Sequence, residues 1–361
     1  MADPASSPPA TAVPARSETV SPGDERPPEP ELEPGVIEVG DADDLEETAS
    51  NIDERISTYT ASLSSSILEY PTENGRRYHA FRAGAYYGPN DEIEQDRLDF
   101  HHRMILKLIG GKLFLSPIDS EKAQRILDIG TGTGIWAIEA GELLPNSEII
   151  GNDLSANQPS WVPPNVKFMI DDVESPWVNA QKFDFIFCRY MVGAIADWPN
   201  LMNSIYENTN PGGWVEFQDY DLLYTSDDGT LTEEHQTLKW ICLILEACDK
   251  MGRDGRPGAK LENWVREAGF VNITHKKFIV PIGPWPKDPH HKDIGMCNLI
   301  QMLDGLEAFS LRVFCDVLGW TRAEVLVLLA MVRKELKSCT FHAKYYFHVV
   351  YAQKPEATDE E

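Results

Sequence analysis

No stretch of this 361-residue chain comes near the ~18–20 consecutive apolar residues of a membrane-crossing helix, and its N-terminus carries no basic segment followed by an apolar core. This sets aside a membrane protein and a secreted one, and the expectation is an intracellular protein, cytoplasmic or nuclear. Basic residues are scarce: 32 Lys and Arg stand against 58 Asp and Glu, a formal net charge of −26. So anionic a chain is repelled by phosphate backbones, which disfavours DNA or RNA as substrate and leaves a small molecule or a basic protein partner compatible. No basic cluster suggests a nuclear signal. The six cysteines (Cys188, Cys242, Cys248, Cys297, Cys315, Cys339) form no C-x-x-C pair and have no histidine at metal spacing. They read as buried free thiols, and no metal site is expected.

The charge is unevenly spread. Residues 1–55 hold fifteen acidic and three basic side chains, nine prolines and no aromatic residue. Such a segment cannot bury enough apolar surface to offset its ordering entropy, so residues 1–55 read as a disordered acidic tail, either a solvated spacer or a recruiter of a basic partner. With 42% apolar residues overall, the rest is long enough to bury a large core. The expected division is an N-terminal helical segment over 56–120, a main domain over 121–355 with helical insertions at 231–268 and 286–338, and an acidic end at 356–361.

What the chain does have is Arg125-Ile-Leu-Asp-Ile-Gly-Thr-Gly-Thr-Gly-Ile-Trp, an apolar strand running into a glycine turn and then a helix. Glycines there let the backbone approach a ligand, and the helix offers its free N–H groups to it. A dinucleotide fingerprint would be G-x-G-x-x-G. Here the triplet Gly130, Gly132 and Gly134 is G-x-G-x-G, and Ile135 stands where the third glycine of that fingerprint belongs. No Tyr-x-x-x-Lys pair accompanies it, which further disfavours a nicotinamide oxidoreductase. Asp153 follows nineteen residues after Gly134, at the end of a second apolar run, where a carboxylate can accept both hydroxyls of a ribose.

In this combination the chain resembles the class I S-adenosylmethionine-dependent methyltransferases, and its neighbouring motifs resemble the LaeA-like fungal branch. The resemblance runs over roughly residues 68–355. It is carried by the stretch from Tyr70 to Tyr86, by Pro89-Asn-Asp-Glu, Asp96-Arg-Leu-Asp, Gly111-Lys-Leu-Phe-Leu and Gln158-Pro-Ser-Trp-Val-Pro-Pro-Asn, and by Asp197-Trp-Pro, Pro211-Gly-Gly-Trp, Ser226-Asp-Asp-Gly-Thr-Leu and Gly283-Pro-Trp-Pro-Lys. It implies a Rossmann-like α/β fold whose seven-stranded, mostly parallel sheet ends on an antiparallel strand, with an added helical cap. It also implies S-adenosylmethionine as cofactor and a small-molecule acceptor in fungal secondary metabolism. A regulator that binds the same cofactor and acts through protein partners is the alternative.

Periodicity alone places helices at 57–70, Asp91–Leu115, Ile135–Leu144, Leu201–Asn208, Leu231–Met251 and Gly258–Ala268, with 286–338 helical throughout. Strands are expected at Ile126–Ile129, Glu148–Asn152, Val166–Ile170, Phe183–Cys188, Trp214–Gln218, Val271–Val280 and Tyr345–Tyr351. Strands separated by helices imply right-handed crossovers and a mostly parallel sheet. The inserted helices are expected to form the acceptor pocket.

The candidate cofactor residues begin with the loop, Gly130, Thr131, Gly132 and Gly134. Asp128 either orients a ligand ammonium or braces the loop, and Asp153, with Leu154 beside it, either meets a ribose or caps the next turn. The resemblance sets Asp128 against the methionine moiety and one of Asp171 and Asp172 on the adenine amino group, with Val173 against the ring; the other aspartate is left to cap a turn. Arg189, at a strand end where open α/β sheets bind ligands, faces a carboxylate or pairs with an acidic side chain. The stretch Tyr78, His79, Arg82, Tyr86 and Tyr87 resembles the family segment that covers the cofactor; aromatic faces suit a sulfonium, and packing is the rival reading.

No catalytic dyad stands out, and the chemistry does not require one. Alignment of acceptor and methyl group supplies ~7–11 kcal/mol, against ~10²- to 10⁴-fold from a general base. Side chains able to take a proton are His79, His101, His102, Glu216, Asp219 and His235, each also readable as structural. Glu216 and Asp219 are expected at the end of the fifth strand near the substrate mouth, and His290-His291 on the surface.

Overall fold

The computed structural model describes residues 70–178 and 181–357. The acidic tail at 1–55, nearly all of the helix expected over 57–70 and most of the acidic end at 356–361 lie outside the described residues.

After a two-residue hairpin pairing (Thr72–Glu73 with Arg76–Arg77), α1 spans Glu92–Leu108. Asp91 caps it by accepting the Glu94 N–H, and acidic residues in its first turn with Lys107 in its last suit the helix dipole. The helix was expected to reach Leu115. It stops because Gly110 and Gly111 both take left-handed φ, 80° and 75°, and the chain turns away.

Strands and helices then alternate as β1 (Arg125–Ile129), α2 (Ile135–Leu143), β2 (Glu148–Asp153), β3 (Val166–Ile170), β4 (Phe183–Arg189) and α3 (Trp198–Asn208). There follow β5 (Thr209–Thr225), α4 (Gln236–Lys250), α5 (Leu261–Glu267), β6 (Val271–Pro281), α6 (Pro289–Arg312), α7 (Arg322–Ser338) and β7 (Lys344–Gln353). One seven-stranded sheet results, in the order β3-β2-β1-β4-β5-β7-β6. Pairing is parallel from β3 to β5, and β7 is antiparallel to both its neighbours, the Rossmann-like arrangement that the resemblance implied.

Three elements differ from the expectation for physical reasons. β5 is far longer than Trp214–Gln218, because β7 supplies partners for it from Trp214, opposite Gln353, to Thr225, opposite Lys344. The block 286–338 is two helices: α6 runs into a wider turn over Val313–Val317, Gly319 breaks the chain at φ 75°, and α7 restarts on a capping box between Thr321 and Glu324. The first insertion begins its helix only at Gln236, after a turn in which His235 bonds Thr232.

Alternation along β7 divides the core. Phe347 and Val349 join the face covered by α4, α6 and α7, while Val350 and Ala352 join the face covered by α3 and α5. On that second face Trp264 of α5 stacks on Trp198 of α3, centroids 5.3 Å apart. All six cysteines are free, but only Cys188 and Cys248 are buried; Cys242 and Cys339 are exposed, which corrects the expectation that all were core thiols. Among the described residues no helix is long and apolar enough to cross a membrane.

Candidate functional site

The strand order reverses between β1 and β4, the position where an open α/β sheet leaves a crevice at its carboxyl edge. β1 delivers the glycine loop to that edge. Gly130, Gly132 and Gly134 take φ of 65°, 59° and 81°, a region costing other L-residues roughly 1–2 kcal/mol each. A Cβ on Gly130 would stand 2.5 Å from Met191 Sδ and one on Gly134 2.4 Å from the Phe168 ring; at Gly132 the nearest atom, on Leu98, is 4.0 Å away. The sequence reading gave all three glycines to ligand approach. Two are instead required by protein packed on protein, and Gly132 is the one facing open space.

The loop is clamped from behind. The Thr131 N–H donates to Asn152 O (2.8 Å) and its hydroxyl to Asp128 (2.6 Å), Gly132 N–H donates to Asp153 (3.0 Å), and the Gln158 amide holds Gly132 O (2.6 Å). A loop ordered before a ligand arrives spares binding that entropy cost. The cleft over it measures about 1320 Å³ out to its mouth.

Its acids are not equivalent. Asp128 is buried, and burial pushes its carboxyl up to about 7 against the downward pull of the Thr131 hydroxyl and Arg189. Of its two readings, bracing the loop is realised, through a hydroxyl rather than a backbone N–H. Asp153 accepts Gly132 N–H on one oxygen and Ser155 N–H (2.9 Å) on the other, and burial holds it at about 6 against those donors. Each of its oxygens retains a second lone pair. Asp172 caps the turn after β3 by accepting from Glu174 N–H and the Ser175 hydroxyl, both at 3.0 Å, and meets Arg82 at 3.4 Å. Among the described residues Asp171 accepts only the neighbouring Asp172 N–H (2.9 Å). Both line the cleft with Leu154 and Val173, and of the two Asp171 has the carboxylate less engaged.

Arg189, at the end of β4, was offered a ligand carboxylate or an acidic side chain. It donates instead to Nδ1 of His102 (2.7 Å), whose Nε2 therefore carries the proton and donates to Glu139 (3.0 Å). Burial, then Arg189, pulls His102 down to about 3, so this histidine stays neutral. Burial also lowers Arg189, to about 10, which leaves it charged at neutral pH. Its Nη1 is buried without a hydrogen bond among the described residues, an orphan donor on a residue that lines the cleft.

The Tyr-rich segment divides. Tyr86 and His79 line the cleft, whereas Tyr87 lines a second cavity described below, and Tyr78 packs beneath the Arg312 guanidinium, 4.6 Å from its ring centre. Both His79 ring nitrogens are spent on the backbone of its own loop, at Phe81 O (2.8 Å) and Tyr86 O (2.9 Å). Arg82 does not line the cleft; it stands behind Asp172 and Ser175.

Glu216 and Asp219 are a correction, since neither lies at the end of its strand or lines the cleft. The Glu216 carboxylate is fully buried and accepts from Leu115 N–H (2.8 Å), Ser116 N–H (2.6 Å), the Ser116 hydroxyl (2.7 Å) and Gln218 (2.7 Å). Asp219 accepts Met191 N–H and Tyr220 N–H, both at 2.8 Å, and burial raises it to about 7. Both carboxylates are anchors for other segments. His235, His290 and His291 also stand outside the cleft, the last on Asp288 at 2.7 Å. Among the described residues no cluster of three or more His, Cys, Asp or Glu could hold a metal ion.

Several lining residues went unnoticed in the sequence. Asn90, Glu94, Gln95 and Leu98 reach the cleft from α1 and the residue before its cap, and Met191 from the turn after β4. The Pro89-Asn-Asp-Glu motif was visible, but periodicity gave α1 only a packing role.

Residues 100–275 match a family described as a methyltransferase domain. Methyltransferase pytC of Aspergillus terreus is 47% identical over 295 residues, 81% of this chain and 91% of that protein. Secondary metabolism regulator LAE1 of Cochliobolus heterostrophus is 37% identical over 79% of this chain and 94% of its own length. Probable methyltransferase tdiE of Emericella nidulans is 35% identical, over 82% and 92% respectively.

Proposed function

Since the chain belongs to the class I S-adenosylmethionine-dependent methyltransferases, in their LaeA-like fungal branch, we propose that its cleft binds S-adenosylmethionine and that the protein moves the methyl group to a small molecule of fungal secondary metabolism. One observation carries the cofactor assignment: the open Gly132 backbone, Asp153, Asp171 and the unpartnered Arg189 Nη1 belong to residues lining one cleft. Their chemistry fits the group. Asp153 has lone pairs for the ribose hydroxyls, Asp171 an acceptor for the adenine amino group, Asp128 a charge for the ammonium and Arg189 a donor for the carboxylate. Leu154 and Val173 flank the adenine, and Tyr86 offers a ring face to the sulfonium. Thr131 and Gly130 shape the loop, Gly134 starts α2, and Arg82 with Asp172 supports Asp171 from outside.

When bound, the cofactor supplies an electrophilic methyl group on a positive sulfur. The residues of this chain then have to hold the acceptor in line and keep water out.

A methyl-labelled cofactor incubated with the full chain and a fungal extract tests this: the label is expected in a small molecule. Label found only in protein, or transferred nowhere, contradicts it. The resemblance to LAE1 supports a second reading, a cofactor-binding regulator acting through partners, a basic protein among them. Removing residues 1–55 distinguishes the two, since a tail-dependent regulator loses its partners while a tailoring enzyme keeps its turnover. An intracellular site of action belongs to the same proposal and is supported by the six unpaired thiols.

A further inference from the structure

Behind the cleft lies a second chamber of about 510 Å³, and His101 and Tyr190 line both. Seven of its fourteen lining side chains are Tyr, Trp or Phe, and none is Asp, Glu, Lys or Arg. The Tyr220 and Tyr345 hydroxyls are pushed well above the usual tyrosine range by burial, so these walls stay uncharged. Their polar ends are mostly spent on residues behind the walls: Trp240 Nε1 on Ser310 (2.8 Å), Tyr345 on Asn298 (2.7 Å), Gln301 between Arg97 (2.9 Å) and Asn298 (2.9 Å). A charged occupant would meet no charged side chain on these walls, whereas a flat apolar one would find ring faces.

The dividing wall is a built feature. Tyr190 holds φ +60°, uncommon for a side chain of its size, fixed by its N–H on Gln218 O (2.9 Å) and by Asp219 on the next residue. Its ring lies 4.3 Å from that of His101, centre to centre. Nε2 of His101 meets the Tyr220 hydroxyl at 2.7 Å, and its Nδ1 has no hydrogen bond among the described residues. Burial, then the charges of Arg97 and Arg189, hold His101 well below its ordinary pKa, so the ring is neutral; in the tautomer whose Nε2–H donates to the Tyr220 hydroxyl, the free lone pair is on Nδ1.

Resting on the cofactor reading above, we propose that this chamber binds the acceptor, that the acceptor is an uncharged aromatic hydroxy compound, and that its hydroxyl donates to His101 Nδ1 at the wall of the cofactor cleft. With Nε2–H on Tyr220, Nδ1 is the atom able to take the hydroxyl proton. The acceptor oxygen then forms its bond to the methyl carbon, the carbon–sulfur pair returns to sulfur, and the positive charge passes from sulfur to the imidazole ring.

The test uses three probes on the full chain at pH 7, namely 2-naphthol, naphthalene and 2-naphthoate, with S-adenosylmethionine binding measured in parallel. The naphthol is expected to bind about tenfold more tightly than naphthalene, the worth of one hydrogen bond, and naphthoate more weakly than either. His101→Phe, which keeps a ring but removes the acceptor, should erase the naphthol advantage while naphthalene binds as before. Leu222→Trp and Met302→Phe, which fill the chamber from two sides, should abolish both probes and leave cofactor binding intact. Equal binding of naphthol and naphthalene, preference for naphthoate, or probe binding that survives both fillings in a folded protein overturns the proposal. Loss of cofactor binding in the unaltered chain would instead count against the cleft assignment.

Discussion

At the scale of single residues, the chemistry turns on carboxylates that burial holds near neutrality. Asp128 sits at about 7 when folded, above its ordinary 3.8. A raised acid binds more protons folded than unfolded, so its contribution to stability is present below pH ~4 and is lost as pH climbs through 7. Ligand binding has the opposite slope, because only the ionised form can meet an ammonium. With a pKa near 7 about one tenth is ionised at pH 6 and nine tenths at pH 8, so cofactor affinity should rise about tenfold over that interval. Asp153, at about 6, adds a smaller change of the same sign. Asp128→Asn should flatten most of the slope in a calorimetric series and raise the melting temperature of the free protein at pH 8, since the amide can still accept from Thr131. Glu216 is a contrast. It holds four donors and lines neither the cleft nor the second chamber, so Glu216→Ala should cost roughly 2–4 kcal/mol in denaturant unfolding while leaving the cofactor affinity of the folded fraction unchanged. Local pattern ends the fifth strand at Gln218 and so sets Glu216 and Asp219 at its end; their roles depend on partners about a hundred and about thirty positions away, which local pattern cannot reveal.

At the scale of elements, what could be read was what local rules dictate. β3 falls at Val166–Ile170 as expected, and β1 and α2 differ by one residue, because apolar runs, glycines and helix periodicity are all local. What could not be read was set by distant partners: the length of β5 by β7, and the siting of α5 on the opposite face from α4 and α6. The break inside 286–338 was in principle visible, as a glycine followed by Thr-x-x-Glu. That capping box makes a prediction for the element alone. Thr321→Ala should cost about 0.5–2 kcal/mol in thermal unfolding and leave cofactor binding unchanged. The glycine loop predicts a division too. Gly134→Ala, driven into Phe168, should lower stability more than Gly132→Ala, whereas Gly132→Ala should fall mainly on ligand affinity.

At the scale of the whole molecule, the sheet order places the loop, the ends of β2 and β3 and the end of β4 along one edge, and α1 closes the cleft from above. The inserted helices add an aromatic chamber on the far side of one histidine and one strained tyrosine. An adenosyl sulfonium in the cleft is the premise on which both cavities acquire their meaning. Isothermal titration of the full chain with S-adenosylmethionine tests it most directly: the expected result is one site per chain, weakened at least tenfold by Asp153→Ala, with no heat from NAD. No binding by the unaltered chain, or binding of NAD in its place, would contradict it.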